Sequence, residues 1–244
     1  YLNNLELDKI QQMAAERAVC HETKEMLLEE MPYTRRDDVR LLLEQTDALT
    51  SQLLQNGNPR ISSCEGASNA VSRAAKGGML SMGELLAVSG ALRNFTALVG
   101  WYKREKNLSG PLDDLFFSIT PQPALEAEIR ACILSDSEMA DNASDELYSL
   151  RRKIRVAESS IRDKLDAIVK SPTNSKYLQE ALVSIRNGRY VVPVRAEHRN
   201  EIGGVIHDVS QSGGTLFVEP SAVVEANAKI MQLKNAEQAE IERI

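Results

Sequence analysis

The sequence predicts a mainly α fold: a helical bundle core with a long antiparallel helical coiled-coil arm, which carries a small antiparallel β clamp at its tip. Apolar residues recur at three- and four-residue steps over most of the chain, as in amphipathic helices. The stretch 186–220 is instead rich in β-branched residues and paired glycines, as in short strands joined by turns. Helical patterns on both sides of it predict an outgoing and a returning helix. The predicted domains are the core (1–140), the outgoing helix (141–184), the clamp (185–219) and the returning helix (220–244).

Composition indicates an ordinary globular protein whose positive charge is concentrated in its middle. The chain has 244 residues, 43% apolar and 26% charged, with a formal net charge of −6. The chain as a whole therefore has no positive excess that would favour nucleic acid. Residues 151–199, however, contain 12 Lys/Arg and 5 Asp/Glu. This local excess makes the middle of the chain the place to expect contacts with anions.

The cysteines predict neither a disulfide framework nor a zinc site. Cys20, Cys64 and Cys132 are odd in number and far apart, and no Cys-x-x-Cys pair occurs. We expect reduced thiols, a cytoplasmic protein, and no metal or cofactor held by this segment. No apolar run reaches the length of a membrane span, so no membrane partner is expected. Tyr1 in place of methionine, and a helical pattern that continues to Ile244, predict a piece of a longer protein.

The predicted core is built from several helices. Helical periodicity runs from Leu2 to Glu105. Ser81 followed by Glu84 predicts a capping box, in which the hydroxyl and the carboxylate satisfy backbone N–H groups at the start of a helix. Residues 107–123, which contain three prolines, predict a connection to the arm.

The arm is predicted from an apolar seam with the spacing of a coiled coil. Steps of 3, 4, 3, 4, 4 and 3 leave one narrow apolar stripe on a helix over 141–170. At about 1.5 Å per residue such a helix is roughly 45 Å long, so it is expected to project. The cations from Arg151 to Arg155 are predicted to lie on its solvated face; the alternative is that they guide a nucleic acid along it. The seam residues are Leu147, Leu150, Ile154, Ala157, Ile161, Leu165 and Ile168.

The clamp is predicted as three strands, over 190–196, 205–209 and 215–218, with a hairpin turn at 210–214. Pro193 predicts that the first strand lies at an edge of the sheet, because proline has no N–H to donate to a ladder.

Five residues of this stretch are candidates for contact with phosphates. Guanidinium groups suit phosphate because they stay charged and present a planar fork of donors. Arg189 and Arg195 share parity along a strand, so they are expected on one face. The alternative is a solvated edge strand that is kept soluble by its charge. The candidates are Arg186, Arg189, Arg195, His198 and Arg199.

His207 and Asp208 invite a catalytic interpretation, but adjacent strand residues point to opposite faces and cannot form a relay with each other. No nucleophile with turn geometry accompanies them. We therefore predict no catalytic residue here. Asp208 is expected to accept hydrogen bonds of the turn near Ser210 and Ser212.

Several runs of residues resemble the MutS-related type 2 family, the branch of the mismatch-repair MutS ATPases that lacks the mismatch-recognition domain. Many fixed residue types fall in order over the C-terminal part, which makes that match the more specific one. One departure is Ala228, where a second asparagine would follow Asn227. The matching runs are LExDKI (5–10), RAxKGGxLSxxEL (73–85), GRYVVPV (188–194), HDxSxSGxTLFxEP (207–220) and VVExN (223–227).

The resemblance implies that the chain is the core or lever region with its clamp, followed in the whole protein by a dimerising ATPase that uses ATP and Mg²⁺. It also implies, in many members, a basic linker and an Smr-type endonuclease domain. The implied partners are branched DNA, where recombination is suppressed, or stalled and collided ribosomes, within a homodimer.

The chain itself has no Gly-x-x-x-x-Gly-Lys-Ser/Thr loop for nucleotide phosphates. A second hypothesis is a structural coiled-coil module that binds a protein partner and makes no nucleic-acid contact.

Overall fold

The computed structural model of the protein describes residues 6–102 and 110–244. The predicted helix positions Leu2 and Leu5, the end of the predicted helical region at Glu105, and residues 107–109 of the predicted connection lie outside the described residues. The chain divides into two units, Tyr1–Ala140 and Asp141–Ile244. None of the described helices is both long and apolar enough to cross a membrane.

The first unit is helical. The capping box predicted at its fifth helix is present: Glu84 donates its backbone N–H to the Ser81 hydroxyl, and its carboxylate accepts from the Ser81 backbone N–H at 2.8 Å. Helix α5 packs against α4 and α7, while α1 packs against α2. The helices are α1 (Leu7–Ala15), α2 (His21–Glu29), α3 (Arg36–Asn56), α4 (Ala67–Ala75), α5 (Met82–Trp101), α6 (Asp113–Phe117) and α7 (Pro123–Cys132).

The predicted bundle is not closed in the described part of this unit. No residue of α3 is buried, and its apolar residues Leu41 and Leu43 are exposed. Periodicity identified the apolar side of the helix but carries no information about what covers that side.

The second unit combines two long helices with an antiparallel sheet in the order β1-β2-β4-β3. The predicted turn at 210–214 joins β3 to β4: Gly213 has φ 74°, and its N–H donates to the Ser210 carbonyl at 2.8 Å. The elements are α8 (Asp145–Val169), α9 (Pro172–Ser175), β1 (Ser184–Arg186), β2 (Arg189–Arg195), β3 (Gly204–Val209), β4 (Thr215–Pro220) and α10 (Val224–Arg243), with 3₁₀ turns at Ala196–His198 and Ser221–Val223.

The prediction of a long projecting coiled-coil arm with a clamp at its tip is wrong. Helix α8 covers 25 residues, Asp145–Val169, within the predicted 141–170. Ile161, Leu165 and Val169 in its C-terminal half belong to the core that α8 and α10 form with the sheet. A stripe with steps of three and four residues is complementary to the apolar face of a sheet as well as to a second helix. Here the sheet covers part of the seam, so the unit is a layered α+β structure.

The N-terminal half of α8 and the middle of α10 form a smaller apolar cluster. Leu150 and Ile154 pack against Leu233 in a cluster separate from the main core.

Strand β2 is an inner strand, so the edge position predicted from Pro193 is also wrong. β1 lies on one side of β2 and β4 on the other. The strand accommodates Pro193 because the backbone of this residue faces residues 177–179. These residues run alongside β2 without forming a strand. The Pro193 carbonyl accepts from Gln179 N at 2.9 Å, and Arg195 N donates to the Tyr177 carbonyl at 2.9 Å. No hydrogen bond at that position requires a proline N–H.

Strand β1 was not predicted, although the sequence contains a signal for it. Asn187 and Gly188 have φ of 50° and 74° and connect β1 to β2. Asn-Gly is the favoured pair of a two-residue hairpin, because both central residues need positive φ. A strand of only three residues, Ser184–Arg186, is too short to show alternation.

Candidate nucleic-acid interface

The two faces of the sheet differ in what they contact. Tyr190, Val192 and Val194 of β2 belong to the core shared with α8 and α10. Because side chains alternate along a strand, Arg189 and Arg195 lie on the opposite face, where Val191 and Pro193 between them are buried as well. The register pairs Arg186 with Arg189 across the β1–β2 hairpin. The candidate arginines Arg186 and Arg189 therefore lie at one end of β2, and Arg195 at the other.

Arg189 is paired with a buried carboxylate. Its Nη1 donates to both carboxylate oxygens of Glu219, at 3.0 and 3.1 Å. The Glu219 side chain is only 1% exposed, whereas that of Arg189 is 29% exposed. The charge of Arg189 is therefore largely neutralised inside the protein.

His207 bonds to the same carboxylate through Nε2. A register shift between Ile206 and Asp208 marks a β-bulge, which leaves His207 without a cross-strand partner and re-aims its side chain. The partner of His207 is Glu219 and not the adjacent Asp208. The central role of Glu219 is not predictable from the sequence, because no short-range pattern marks a bulge.

Arg186 is also matched by an acidic partner. Its Nε lies 3.3 Å from Asp208 Oδ2, and its guanidinium lies 4.0 Å from the centre of the Phe217 ring. Asp208 accepts in addition from the Val209 backbone N–H at 2.8 Å. The prediction that Asp208 supports the turn is wrong: the Ser210 hydroxyl does so, accepting from Thr215 N at 3.0 Å.

The other end of β2 is different, because its arginine has no acidic partner among the described residues. Arg195 is exposed, and its Nε donates to the Leu178 carbonyl at 3.2 Å. Arg199 is also exposed, directly after the 3₁₀ turn Ala196–His198. Within the part of the chain that the structure describes, neither guanidinium makes an ion pair.

Aromatic and basic side chains adjoin these arginines. The His198 ring lies 5.1 Å from that of Tyr177, and Lys176 Nζ lies 4.8 Å from the Tyr177 ring centre. A bridge between Leu178 and Val194 brings this segment beside β2. One carboxylate lies beside these side chains: Glu197 Oε1 is 3.6 Å from His198 Nε2. We call Lys176, Tyr177, Arg195, His198 and Arg199 the basic end.

The five predicted residues are thus divided between two places. Arg195 follows Arg189 by six positions of extended strand, a distance of about 20 Å at roughly 3.3 Å per residue. Sequence analysis missed Lys176 and Tyr177, because only the bridge to β2 shows that they adjoin Arg195.

The cations of α8 are partly neutralised within their own unit. Arg151 bonds to Asp141 at 2.6 Å and to Glu237 at 2.8 Å, and Arg155 bonds to Asp141 at 2.9 Å. Hydrogen bonds from Arg155 and Arg151 lower the pKa of Asp141. Arg152 and Lys153 line a groove between α8 and α10 instead.

The described residues contain no group of three or more His, Cys, Asp or Glu side chains placed to hold a metal ion. The paired glycines that come closest to a phosphate loop, Gly203-Gly204 and Gly213-Gly214, lack the lysine and hydroxyl that hold nucleotide phosphates and Mg²⁺.

Known proteins were compared with the chain. No family model matches it. Endonuclease MutS2 of Ruminiclostridium cellulolyticum is 40% identical over 242 residues, which cover 98% of this chain and 31% of that protein. Endonuclease MutS2 of Clostridium perfringens strain 13 is 39% identical over 249 residues, and that of Geobacillus thermodenitrificans is 39% identical over 246 residues. Each alignment covers 100% of this chain and 31% of the relative.

The chain spans 31% of the length of these relatives. Identity near 40% extends over nearly all of its own residues. The chain is therefore similar, over nearly all of its length, to one segment of proteins named Endonuclease MutS2, which supports a MutS2-like family fragment.

Proposed function

We propose that this chain is a nucleic-acid-contacting segment of a MutS2-type protein, and that its basic end holds backbone phosphates. The observation that carries the proposal is Arg195: an exposed guanidinium whose described polar partner is the Leu178 carbonyl rather than a carboxylate. A cation that keeps its charge is what a phosphate contact needs, because binding then releases counterions from the nucleic acid.

The other end of β2 is less suited to that role. Arg186 and Arg189 are already matched by Asp208 and Glu219. Withdrawing Arg189 towards a ligand would leave the Glu219 carboxylate buried with one partner fewer, which is costly. Arg195 and Arg199 face no such cost.

The client that we propose is branched DNA, with ribosomal RNA of a stalled or collided ribosome as the second possibility. Both present closely spaced phosphates, and nothing at the basic end selects a base sequence. Tyr177 and His198 are the two rings of this group and lie against each other, whereas single-strand binding proteins usually offer a series of rings for stacked bases.

For the whole protein we propose a homodimeric ATPase that uses ATP and Mg²⁺ and carries an endonuclease activity. The printed name of the relatives, Endonuclease MutS2, supports the last part. The parts that would bind ATP and cut nucleic acid lie outside the present chain. The lever and clamp roles of this chain, and the cytoplasmic location of the protein, stay predictions.

The test is fluorescence anisotropy of the chain with a labelled four-way DNA junction, with linear duplex of equal length, and with ribosomal particles, each at two salt concentrations. We expect affinity to fall steeply with salt. Arg195→Ala should weaken binding several-fold and lower the salt slope by about 1. The control is Arg40→Ala, which removes an exposed arginine from the first unit, one that is paired with Glu44.

Tighter binding of the junction than of ribosomal particles supports DNA as the client, and the reverse order supports the ribosome. If the folded chain binds none of the three at low salt, the proposal is wrong. A protein-binding module without nucleic-acid contact is then the better account.

A further inference from the structure

Two of the three cysteines lie in contact in the first unit. The Sγ atoms of Cys20 and Cys64 are 3.3 Å apart, although 44 positions separate the residues in the sequence. Both thiols are half-buried, and both are free. Widely spaced cysteines predicted unpaired thiols, and only the fold shows that two of them meet.

The position of Cys64 is determined by its own segment. The buried Asn94 side chain on α5 accepts from Ser62 N at 3.0 Å and donates to the Ser62 carbonyl at 2.8 Å. This pair of bonds holds residues 62–64 along α5. A Cβ at Gly90 would lie 3.9 Å from Cys64 Cβ, so the segment passes close to the helix surface.

Cys20 is positioned by the start of α2, where it is the N-cap residue. Two positions later, Glu22 accepts from the Gly66 backbone N–H at 3.3 Å. A second contact thus joins α2 to the segment that carries Cys64. Backbone contacts therefore fix the positions of both cysteines: those of Ser62 with Asn94 on the Cys64 side, and that of Gly66 with Glu22 on the Cys20 side.

We propose that Cys20 and Cys64 form a reversible intramolecular disulfide, which ties the α1–α2 pair to the segment anchored on α5. The oxidant is a small-molecule disulfide such as oxidised glutathione. In the first exchange the Cys20 thiolate attacks the glutathione disulfide, forming a mixed disulfide and releasing one glutathione thiolate. In the second, the Cys64 thiolate attacks the Cys20 sulfur and expels the other glutathione thiolate. The two protein thiols lose two protons and two electrons, and one glutathione disulfide becomes two glutathione molecules.

The surroundings of the Cys64 thiol determine how fast the disulfide forms. Burial, followed by the hydrogen bond with Cys20, raises the pKa of the Cys64 thiol to about 11. Since the thiolate is the reacting form, Cys64 reacts slowly near neutral pH and faster as pH rises. The bond would close a loop that contains α2 and α3, whose apolar residues are largely exposed. Oxidation should therefore restrict opening of this part of the unit.

The experiment treats the 244-residue chain with oxidised glutathione at pH 7 and pH 9, blocks the remaining thiols by alkylation and maps the peptides by mass spectrometry. We expect a Cys20–Cys64 linked peptide, formed several-fold faster at pH 9 and lost on reduction. Cys132→Ser should leave it unchanged, whereas Cys20→Ser and Cys64→Ser should abolish it.

Hydrogen exchange provides a second readout on the unmutated chain. Oxidation should slow exchange in residues 21–56 and leave the second unit unchanged. The proposal is wrong if glutathione remains on single cysteines without a Cys20–Cys64 link, or if the link involves Cys132. It is also wrong if reduction does not restore the original exchange rates.

Discussion

The side-chain amide of Asn227 on α10 is hydrogen-bonded to both backbone groups of Tyr190 on β2. Asn227 Oδ1 accepts from Tyr190 N at 3.1 Å, and Nδ2 donates to the Tyr190 carbonyl at 3.0 Å. The β2–β4 pairing runs from Val192 to Arg195, so Tyr190 lies beyond its end. The Asn227 amide therefore takes the place of a neighbouring strand and joins the sheet to the helix.

Asn227→Ala should lower the free energy of unfolding by about 2–6 kcal/mol, because two buried backbone groups lose their partner and each loss costs about 1–3 kcal/mol. Urea denaturation measures this. Asn200→Ala, at an exposed turn position, is the control and should change stability by less than about 0.5 kcal/mol. Equal effects of the two substitutions would contradict the role assigned to Asn227.

The Arg189–Glu219 pair should be strongly coupled. Glu219→Gln or Arg189→Met alone should each cost about 2–4 kcal/mol, since removal of one partner leaves a buried or half-buried charge uncompensated. The double variant should lose clearly less than the sum of the two. The exposed pair Arg40–Glu44 provides the matched cycle, with a coupling of about 0.3–0.5 kcal/mol. Additive losses at Arg189 and Glu219 would show that the pair contributes nothing specific.

The acid stability of the second unit should depend on Glu240. Hydrogen bonds from Arg243, and then from Ser144, lower the pKa of Glu240 from its ordinary value of 4.5 to about 2. Because the folded pKa is the lower one, the stabilisation is complete above pH 4.5 and is lost as the pH falls from 4.5 towards 2. Glu240→Gln should remove this part of the pH dependence in urea titrations. Arg243→Gln, which removes the largest cause, should move the loss to higher pH; an unchanged profile would refute the assignment.

Gly204 should not tolerate a side chain. A Cβ there would overlap the Glu219 carbonyl and lie 2.9 Å from the Pro220 Cα, both in the backbone of β4. Gly204→Ala should therefore separate β3 from β4 and cost about 2–4 kcal/mol. Gly100→Ala in α5 meets open space and should instead stabilise by about 0.5–1 kcal/mol, through helix propensity. Thermal unfolding of both variants measures the two changes in stability. Destabilisation of similar size by both substitutions would contradict the steric argument.

The two ends of β2 should respond differently to loss of an arginine. Arg195→Ala combined with Arg199→Ala should lower the salt slope of nucleic-acid binding by about 2 while stability changes little. Arg189→Met should instead lower stability and leave the salt slope unchanged, because Glu219 already neutralises the charge of Arg189. Anisotropy titrations and urea denaturation of the same preparations would measure both. If Arg189→Met stays folded and the salt slope falls, the phosphate contact lies at the Arg189 end of β2 and not at the basic end.

The local elements were largely predictable because their signals are local. Five of the seven predicted seam residues of α8 are buried, namely Leu147, Leu150, Ile154, Ile161 and Leu165, while Ala157 and Ile168 are partly buried. The capping box at Ser81 and the turn before Thr215 form as predicted, since each depends on residues that adjoin in the sequence. The resemblance to the MutS-related type 2 family is confirmed by relatives that match nearly the whole chain.

By itself, the sequence determined where the chain turns and which side of each helix is apolar, including the side of α8 that is buried. The tertiary structure alone decided what those side chains meet: the sheet covers Ile161 and Leu165, Glu219 holds Arg189, and Cys20 reaches Cys64. The physical reason is that apolar periodicity favours burial against any complementary surface. Ion pairs and thiol contacts instead depend on strand register, a bulge and long-range packing, which no short stretch of sequence encodes.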